Sequence, residues 1–220
     1  MPFAISHGVG ALLQRSTVSA SPFASHLCGA LLVDDGVAIT AAHCVANRNA
    51  ESLAIRFGAS DLCARDAADA DAVVVEVEAI QIAEPISDDL AILRIAASIG
   101  MAPAPRAAPA GHEMAVWATG WGSITEGGPF VCDLKKIALV IGSPQDCASG
   151  KPGESSVEFE RKFFCATGRD GVNTCAGDSG SPVFELRDGQ WSAVGLTLSG
   201  EGCHPTDQGI YLRLEPLTFD

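Results

Sequence analysis

Gly177-Asp178-Ser179-Gly180 packs a serine between two glycines, directly behind an aspartate, in a stretch that opens two residues after Cys175. A nucleophilic hydroxyl needs tight backbone on both sides. A carbonyl must approach it, and N–H groups must point at the oxygen that becomes negative. Glycine permits this because it has no Cβ. Serine alone is a poor nucleophile and needs a base and a group to orient that base. The chain supplies both: Thr40-Ala41-Ala42-His43-Cys44 lies upstream and Asp89-Leu90-Ala91-Ile92-Leu93 lies between. Asp88, just before Asp89, lacks the apolar context that follows Asp89 and is expected to be a solvated loop residue.

In the order His, Asp, Ser, these segments resemble the trypsin/chymotrypsin family of serine proteases; subtilisins and α/β-hydrolases build the same geometry in other orders. The resemblance runs along nearly the whole chain. His26-Leu27-Cys28-Gly29 is similar to the family's first disulfide strand, Ala118-Thr119-Gly120-Trp121-Gly122 to the segment opening its second barrel, and Gly209-Ile210-Tyr211 to its last pocket wall. It implies an all-β fold of two packed six-stranded antiparallel β-barrels with the active site in the cleft between them. Residues 1–220 then form one peptidase domain, with the first barrel at about 1–104 and the second at about 105–220. The family's C-terminal helix is expected to be missing, because the chain stops at Asp220.

The segments between the motifs read as β-structure on their own. Leu31-Leu32-Val33 and Val37-Ala38-Ile39 flank Asp34-Asp35-Gly36, a hairpin signal. Val73, Val75 and Val77 alternate with Val74, Glu76 and Glu78, a half-buried strand. Phe184-Glu185-Leu186 and Trp191-Ser192-Ala193-Val194 flank Arg187-Asp188-Gly189-Gln190, a second hairpin. Residues 98–112, rich in Ala, Pro and Gly, read as a connector. One short helix is predicted from Ser143 as N-cap and Pro144 at the first position.

Composition bounds the partners. At 220 residues, 47% of them hydrophobic, the chain has enough apolar surface for a sizeable core. No apolar run reaches the roughly 18 residues of a membrane span. A net charge of −13 argues against nucleic acid, which attracts Lys and Arg. The eight cysteines are even in number and lack a paired CxxC arrangement, so disulfides and an oxidising compartment, secreted or periplasmic, are expected. The resemblance implies Cys28–Cys44, Cys147–Cys165 and Cys175–Cys203. Cys63 and Cys132 remain. The fold it implies sets their loops side by side, so a fourth bridge is predicted, the alternative being free thiols or an outside partner. No secretory segment is visible at Met1-Pro2-Phe3-Ala4-Ile5.

The resemblance also assigns roles. Ser179 is the nucleophile, His43 the general base, and Asp89 fixes the histidine tautomer and stabilises the imidazolium. Backbone N–H groups of Gly177 and Ser179 form the oxyanion hole. Asp178 pairs with an α-amino group released by zymogen cleavage, unless backbone donors or a basic side chain satisfy it. Ile5, in Ile5-Ser6-His7-Gly8, is the nearest match to the mature N-terminus. Asn173 stands at the base of the primary pocket, with Thr174, Gly200 and Gly209 along it. Without a carboxylate at the base, a neutral residue is expected at the cleavage position, although Glu201 at the rim favours some basic residues.

Departures from the family pattern fall at Thr197-Leu198-Ser199. Leu198 replaces the serine that bonds the triad aspartate, unless a one-residue shift puts Thr197 there. Ser199 replaces the tryptophan that backs the substrate strand, and Ser181 replaces a glycine. Asp61, Asp66, Asp69 and Asp71 lie in a loop that binds calcium in some relatives, but their spacing does not reproduce a calcium loop. No metal and no cofactor are expected. The expected activity is hydrolysis of peptide bonds by a monomeric serine endopeptidase through an acyl-enzyme. Its partners are protein or peptide substrates and a protein inhibitor, with no nucleic acid or membrane. The alternative is a non-catalytic homologue that binds a protein through its cleft.

Overall fold

A computed structural model describes residues 8–18, 21–64, 71–96, 99–109, 111–143, 147, 156–169, 171–215 and 217–218. The first half contributes β1 (Val9–Gln14), β2 (His26–Asp34), β3 (Val37–Ala41), β4 (Leu53–Phe57), β5 (Val73–Ile82) and β6 (Leu90–Ile95). The second contributes β7 (Ala115–Gly120), β8 (Lys135–Ile141), β9 (Phe163–Gly168), β10 (Pro182–Arg187), β11 (Gln190–Gly200) and β12 (Gln208–Arg213). Each set closes on itself, in the orders β1-β2-β3-β6-β5-β4 and β10-β11-β12-β9-β8-β7. All pairings within them are antiparallel. Closure removes the exposed edges that make open sheets prone to pairing with other chains. The fold is all-β and chymotrypsin-like.

Local chemistry explains the hairpins. Asp188 (φ 51°) and Gly189 (φ 80°) both take left-handed backbone between β10 and β11, the twist a two-residue hairpin needs. On β5 the alternation holds: Val75 and Val77 are buried while Val74, Glu76 and Glu78 face water. Leu12, Leu31, Ile39 and Ile55 fill the first barrel, and Leu139, Phe164, Val183 and Tyr211 the second. The first core continues through Trp121, Phe159, Phe163 and Leu196 into the second lobe, so apolar packing fixes the lobes against each other. The connector is a strap bonded to both lobes. Ala104 N–H donates to Leu32 O (3.1 Å), and Ala193 N–H donates to Pro105 O (2.7 Å).

Short α-helices among the described residues include α1 (Arg15–Val18), α2 (Ala42–Val45) and α3 (Ser156–Lys162). Of the helix predicted after Ser143, Cys147 alone lies within the described residues, and it is helical. Cys147 N–H donates to Ser143 O at 3.0 Å, and residues 144–146 lie outside the described residues. Phe159 of α3 and Phe163, the first residue of β9, are both buried, and Phe159 anchors the helix. None of the described helices is long and apolar enough to cross a membrane.

Every cysteine is in a disulfide: Cys28–Cys44, Cys63–Cys132, Cys147–Cys165 and Cys175–Cys203. Cys63–Cys132 ties the segment after β4 to the segment before β8. Backbone bonds from Leu62 N–H to Cys132 O (2.9 Å) and Leu134 N–H to Ser60 O (2.7 Å) flank it. Four disulfides fit a secreted or extracellular protein.

Candidate active site

Asp89 is placed by a strained turn. Ile86–Asp88 form one 3₁₀ turn, and Asp89 closes it at φ 53°, ψ 40°. A non-glycine residue in the left-handed region costs on the order of 1 kcal/mol or more and persists only where its surroundings dictate it. Two bonds do so: Asp89 N–H donates to Ile86 O (3.1 Å), and Ala42 N–H donates to Asp89 O (2.9 Å). The kink turns the carboxylate toward the first turn of α2. There Asp89 Oδ1 accepts from His43 N–H (2.9 Å) and Oδ2 lies 2.7 Å from His43 Nδ1. The carboxylate thus holds the backbone and the ring of one residue. It puts the ring proton on Nδ1 and leaves Nε2 as an acceptor. This hydrogen bond raises the His43 pKa above the ordinary 6.5; burial opposes the rise, and the carboxylate charge adds to it.

Ser179 arrives from the other lobe on a turn that only glycines complete. Gly177 has φ 93° and Gly180 φ 77°. A Cβ on Gly177 would come 2.7 Å from the Phe130 ring, and one on Gly180 would overlap Thr40 Oγ1. Gly29 N–H on β2 donates to Ser179 O at 2.8 Å, stitching the turn to the first lobe. The Ser179 hydroxyl donates to Leu198 O at 3.2 Å rather than to the imidazole. His43 and Ser179 nonetheless face one cleft of about 410 Å³, together with Thr174, Ala176, Thr197, Leu198, Ser199 and Gly200.

Asp178 is not among the residues lining this cleft; its carboxylate packs against Gly120 and Gly122 of its own lobe. It is 2% exposed, and its carboxylate accepts from Gly122 N–H (2.9 Å) and Cys175 N–H (3.0 Å). Burial pushes its pKa up to about 7, against the lowering effect of those two backbone bonds. Backbone donors therefore satisfy it in this structure. Ile5 lies outside the described residues. His26 is buried with Nε2 3.2 Å from Gly177 O, and burial pushes its pKa down to about 4, partly offset by that bond. Sequence reasoning gave His26 no role; its only signal was its place beside Cys28.

Several sequence expectations fall elsewhere. Asn173 is not among the residues lining the cleft. Its amide donates to His204 O (3.0 Å) and Asp207 O (2.8 Å), and its Oδ1 accepts from Thr174 N–H (2.9 Å). Thr174 and Gly200 do line the cleft. Gly209 lies behind it, where a Cβ would overlap the Tyr211 hydroxyl. Tyr211, wholly buried, sits 2.8 Å from Thr174 Oγ1, and burial raises its pKa. Glu201 is exposed and is not a lining residue. Asp88 is no solvated loop residue: Lys162 Nζ lies 2.8 and 3.0 Å from its two oxygens.

The residue-197 shift does not restore a second donor to Asp89. Thr197 Oγ1 is buried without a hydrogen-bond partner, and Leu198 is buried at a β-bulge between Thr197 and Ser199. Asp61 Oδ1 accepts from the Cys63 and Ala64 N–H groups of its own turn (2.7 and 3.2 Å). Asp66 and Asp69 lie outside the described residues. The two groups of described residues with metal-like spacing each contain two cysteines already in disulfides.

Comparison with known proteins adds to this geometry. The protein-family model described as Trypsin matches residues 6–218. The chain is 28% identical over 206 residues to Trypsin-1 of Astacus astacus, covering 87% of this chain and 85% of that protein. It is 30% identical over 190 residues to Trypsin alpha-4 of Lucilia cuprina (81% and 69%). To Ovochymase-2 of Mus musculus it is 29% identical over 194 residues, covering 81% of this chain and 31% of that longer protein.

Proposed function

The chain belongs to the trypsin family of serine proteases, and on that premise we propose that it is an active endopeptidase working through an acyl-enzyme on protein or peptide substrates. The observation that carries this reading is the double engagement of His43 by Asp89, through backbone N–H and ring Nδ1. With Nδ1 protonated and held, Nε2 is the atom free to take the Ser179 proton. Ser179 rotates out of its bond to Leu198 O and attacks the carbonyl carbon as Nε2 accepts its proton. The tetrahedral oxyanion is met by Gly177 and Ser179 N–H groups. The imidazolium then protonates the leaving amine, and water repeats the sequence on the acyl-enzyme. Asp178 serves activation by pairing with a new α-amino group, with Ile5 as its donor.

The cleft favours neutral side chains. Its lining offers hydroxyls at Thr174 and Ser199 and apolar surface at Ala176 and Leu198, with no carboxylate. A buried lysine or arginine there would lack a counter-charge. The disulfides and family point to a secreted or periplasmic monomer that is open to protein inhibitors.

A fluorophosphonate reagent applied to protein with a verified N-terminus tests the reading. It should label the wild type at Ser179 and leave Ser179→Ala unlabelled, and turnover of neutral-P1 peptides should fade as the medium is acidified through the raised His43 pKa. Absence of labelling with retained binding of a protein partner would instead identify a non-catalytic homologue.

A further inference from the structure

Lys162 ends α3, in the lobe that carries Ser179, and its ammonium meets both carboxylate oxygens of Asp88, at 2.8 and 3.0 Å, in the lobe that carries Asp89. We infer that Lys162 is a positioning residue for the Asp89–His43 pair: by gripping Asp88 it fixes the left-handed kink of Asp89 against the second lobe. The inference rests on the catalytic reading above.

Three observations support it. First, the kink's own bonds do not tie it to the second lobe. The bonds that hold Asp89, from Ala42 N–H and to Ile86 O, all come from its own lobe. The Lys162–Asp88 pair is the tie from the lobe of Ser179, one residue from the strained position. Second, the Asp89 carboxylate has no other anchor among the described residues: both oxygens bond to His43 alone. The residues of β11 nearest in role, Thr197 and Leu198, give it no donor. Its aim therefore depends on its backbone. Third, Lys162 is rigidly mounted. Phe159 and Phe163 on either side are buried with ring centroids 5.5 Å apart, and Arg213 Nε donates to Phe163 O at 3.0 Å.

Exposed ion pairs contribute little to stability. The Lys162 and Asp88 side chains are 26% and 18% exposed. What the pair supplies is the relative placement of two lobes that must bring His43 and Ser179 together.

The test compares wild type, Lys162→Arg and the double variant Asp88→Asn/Lys162→Met, which leaves net charge unchanged. NMR titration of the His43 ring reads the aim of Asp89 without requiring turnover. In the double variant the His43 pKa should fall toward 6.5 by about half a unit or more, with kcat reduced roughly tenfold and KM within twofold. Lys162→Arg should keep wild-type values. If the double variant does not fold, Lys162→Gln replaces it. The unpaired Asp88 charge would by itself raise the His43 pKa, so a fall supports the inference and a rise or no change overturns it. A folded double variant with wild-type titration and kcat also overturns it. If wild type neither labels nor turns over, the catalytic reading fails, and the titration still decides whether Lys162 positions Asp89.

Discussion

The carboxylate of Asp178 occupies the space that a side chain on Gly120 would need. A Cβ added there would overlap Asp178 Oδ1, and one on Gly122 would come 2.6 Å from it. Thr119-Gly120-Trp121-Gly122 and Gly177-Asp178-Ser179-Gly180 are thus two halves of one contact, closed by the bond from Gly122 N–H to Asp178 Oδ1 across 56 positions.

Gly120→Ala should therefore injure the serine turn from a distance. Its methyl must push Asp178 out of its bed, at a cost of about 1–3 kcal/mol in urea unfolding. The displaced aspartate drags Gly177 and Ser179, so fluorophosphonate labelling should slow as well. Unchanged stability with unchanged labelling would show that this contact yields freely.

Asn173→Asp should not create a preference for Lys or Arg. The Asn173 amide donates to two carbonyls, His204 O and Asp207 O. A carboxylate there would face two acceptors and lose both bonds, costing on the order of 2 kcal/mol. Thr174→Asp, on a cleft-lining position, should instead improve cleavage after basic residues. Peptide-library profiling of both variants decides, and a gain of basic preference in Asn173→Asp would refute the assignment.

His26 and Asp178 should oppose each other in the pH dependence of stability. His26 is depressed to about 4, so its contribution is complete above the unfolded value near 6.5 and is lost as pH falls through 4. Asp178 is raised to about 7 from 3.8, so its contribution is complete at low pH and is lost as pH rises through 7. Each is on the order of 3 kcal/mol across the window. Relative to wild type, Asp178→Asn should gain stability as pH rises from about 4 to 7, and His26→Asn should lose it as pH rises from about 4 to 6.5. Urea melts across this range test the pair, and difference curves that stay flat would sink it.

Removing the Cys63–Cys132 bridge as a double serine variant should cost about 4 kcal/mol in the chain-entropy view, since it closes a separation of 69 residues. The His43–Asp89 bond lies elsewhere, so activity below the lowered Tm should persist. A loss under about 1 kcal/mol would mean that the flanking backbone bonds hold the segments together unaided.

The sequence by itself determined the fold and pointed to the candidate reacting groups, because these rest on local requirements. Alternating apolar residues demand strands, Asp188-Gly189 demands a hairpin turn, and Gly177 and Gly180 demand left-handed backbone beside Ser179. With three pairings implied by the family resemblance, Cys63 and Cys132 remained, and the structure joins them. The tertiary structure alone decided which of several available partners each polar group took. Asn173 turned to the 204–207 turn instead of the cleft, Asp88 took Lys162 instead of water, and Ser179 rested on the Leu198 carbonyl. Such choices join residues 19 to 74 positions apart, where strand register and burial set which donor arrives first, and no local pattern in the chain encodes that outcome.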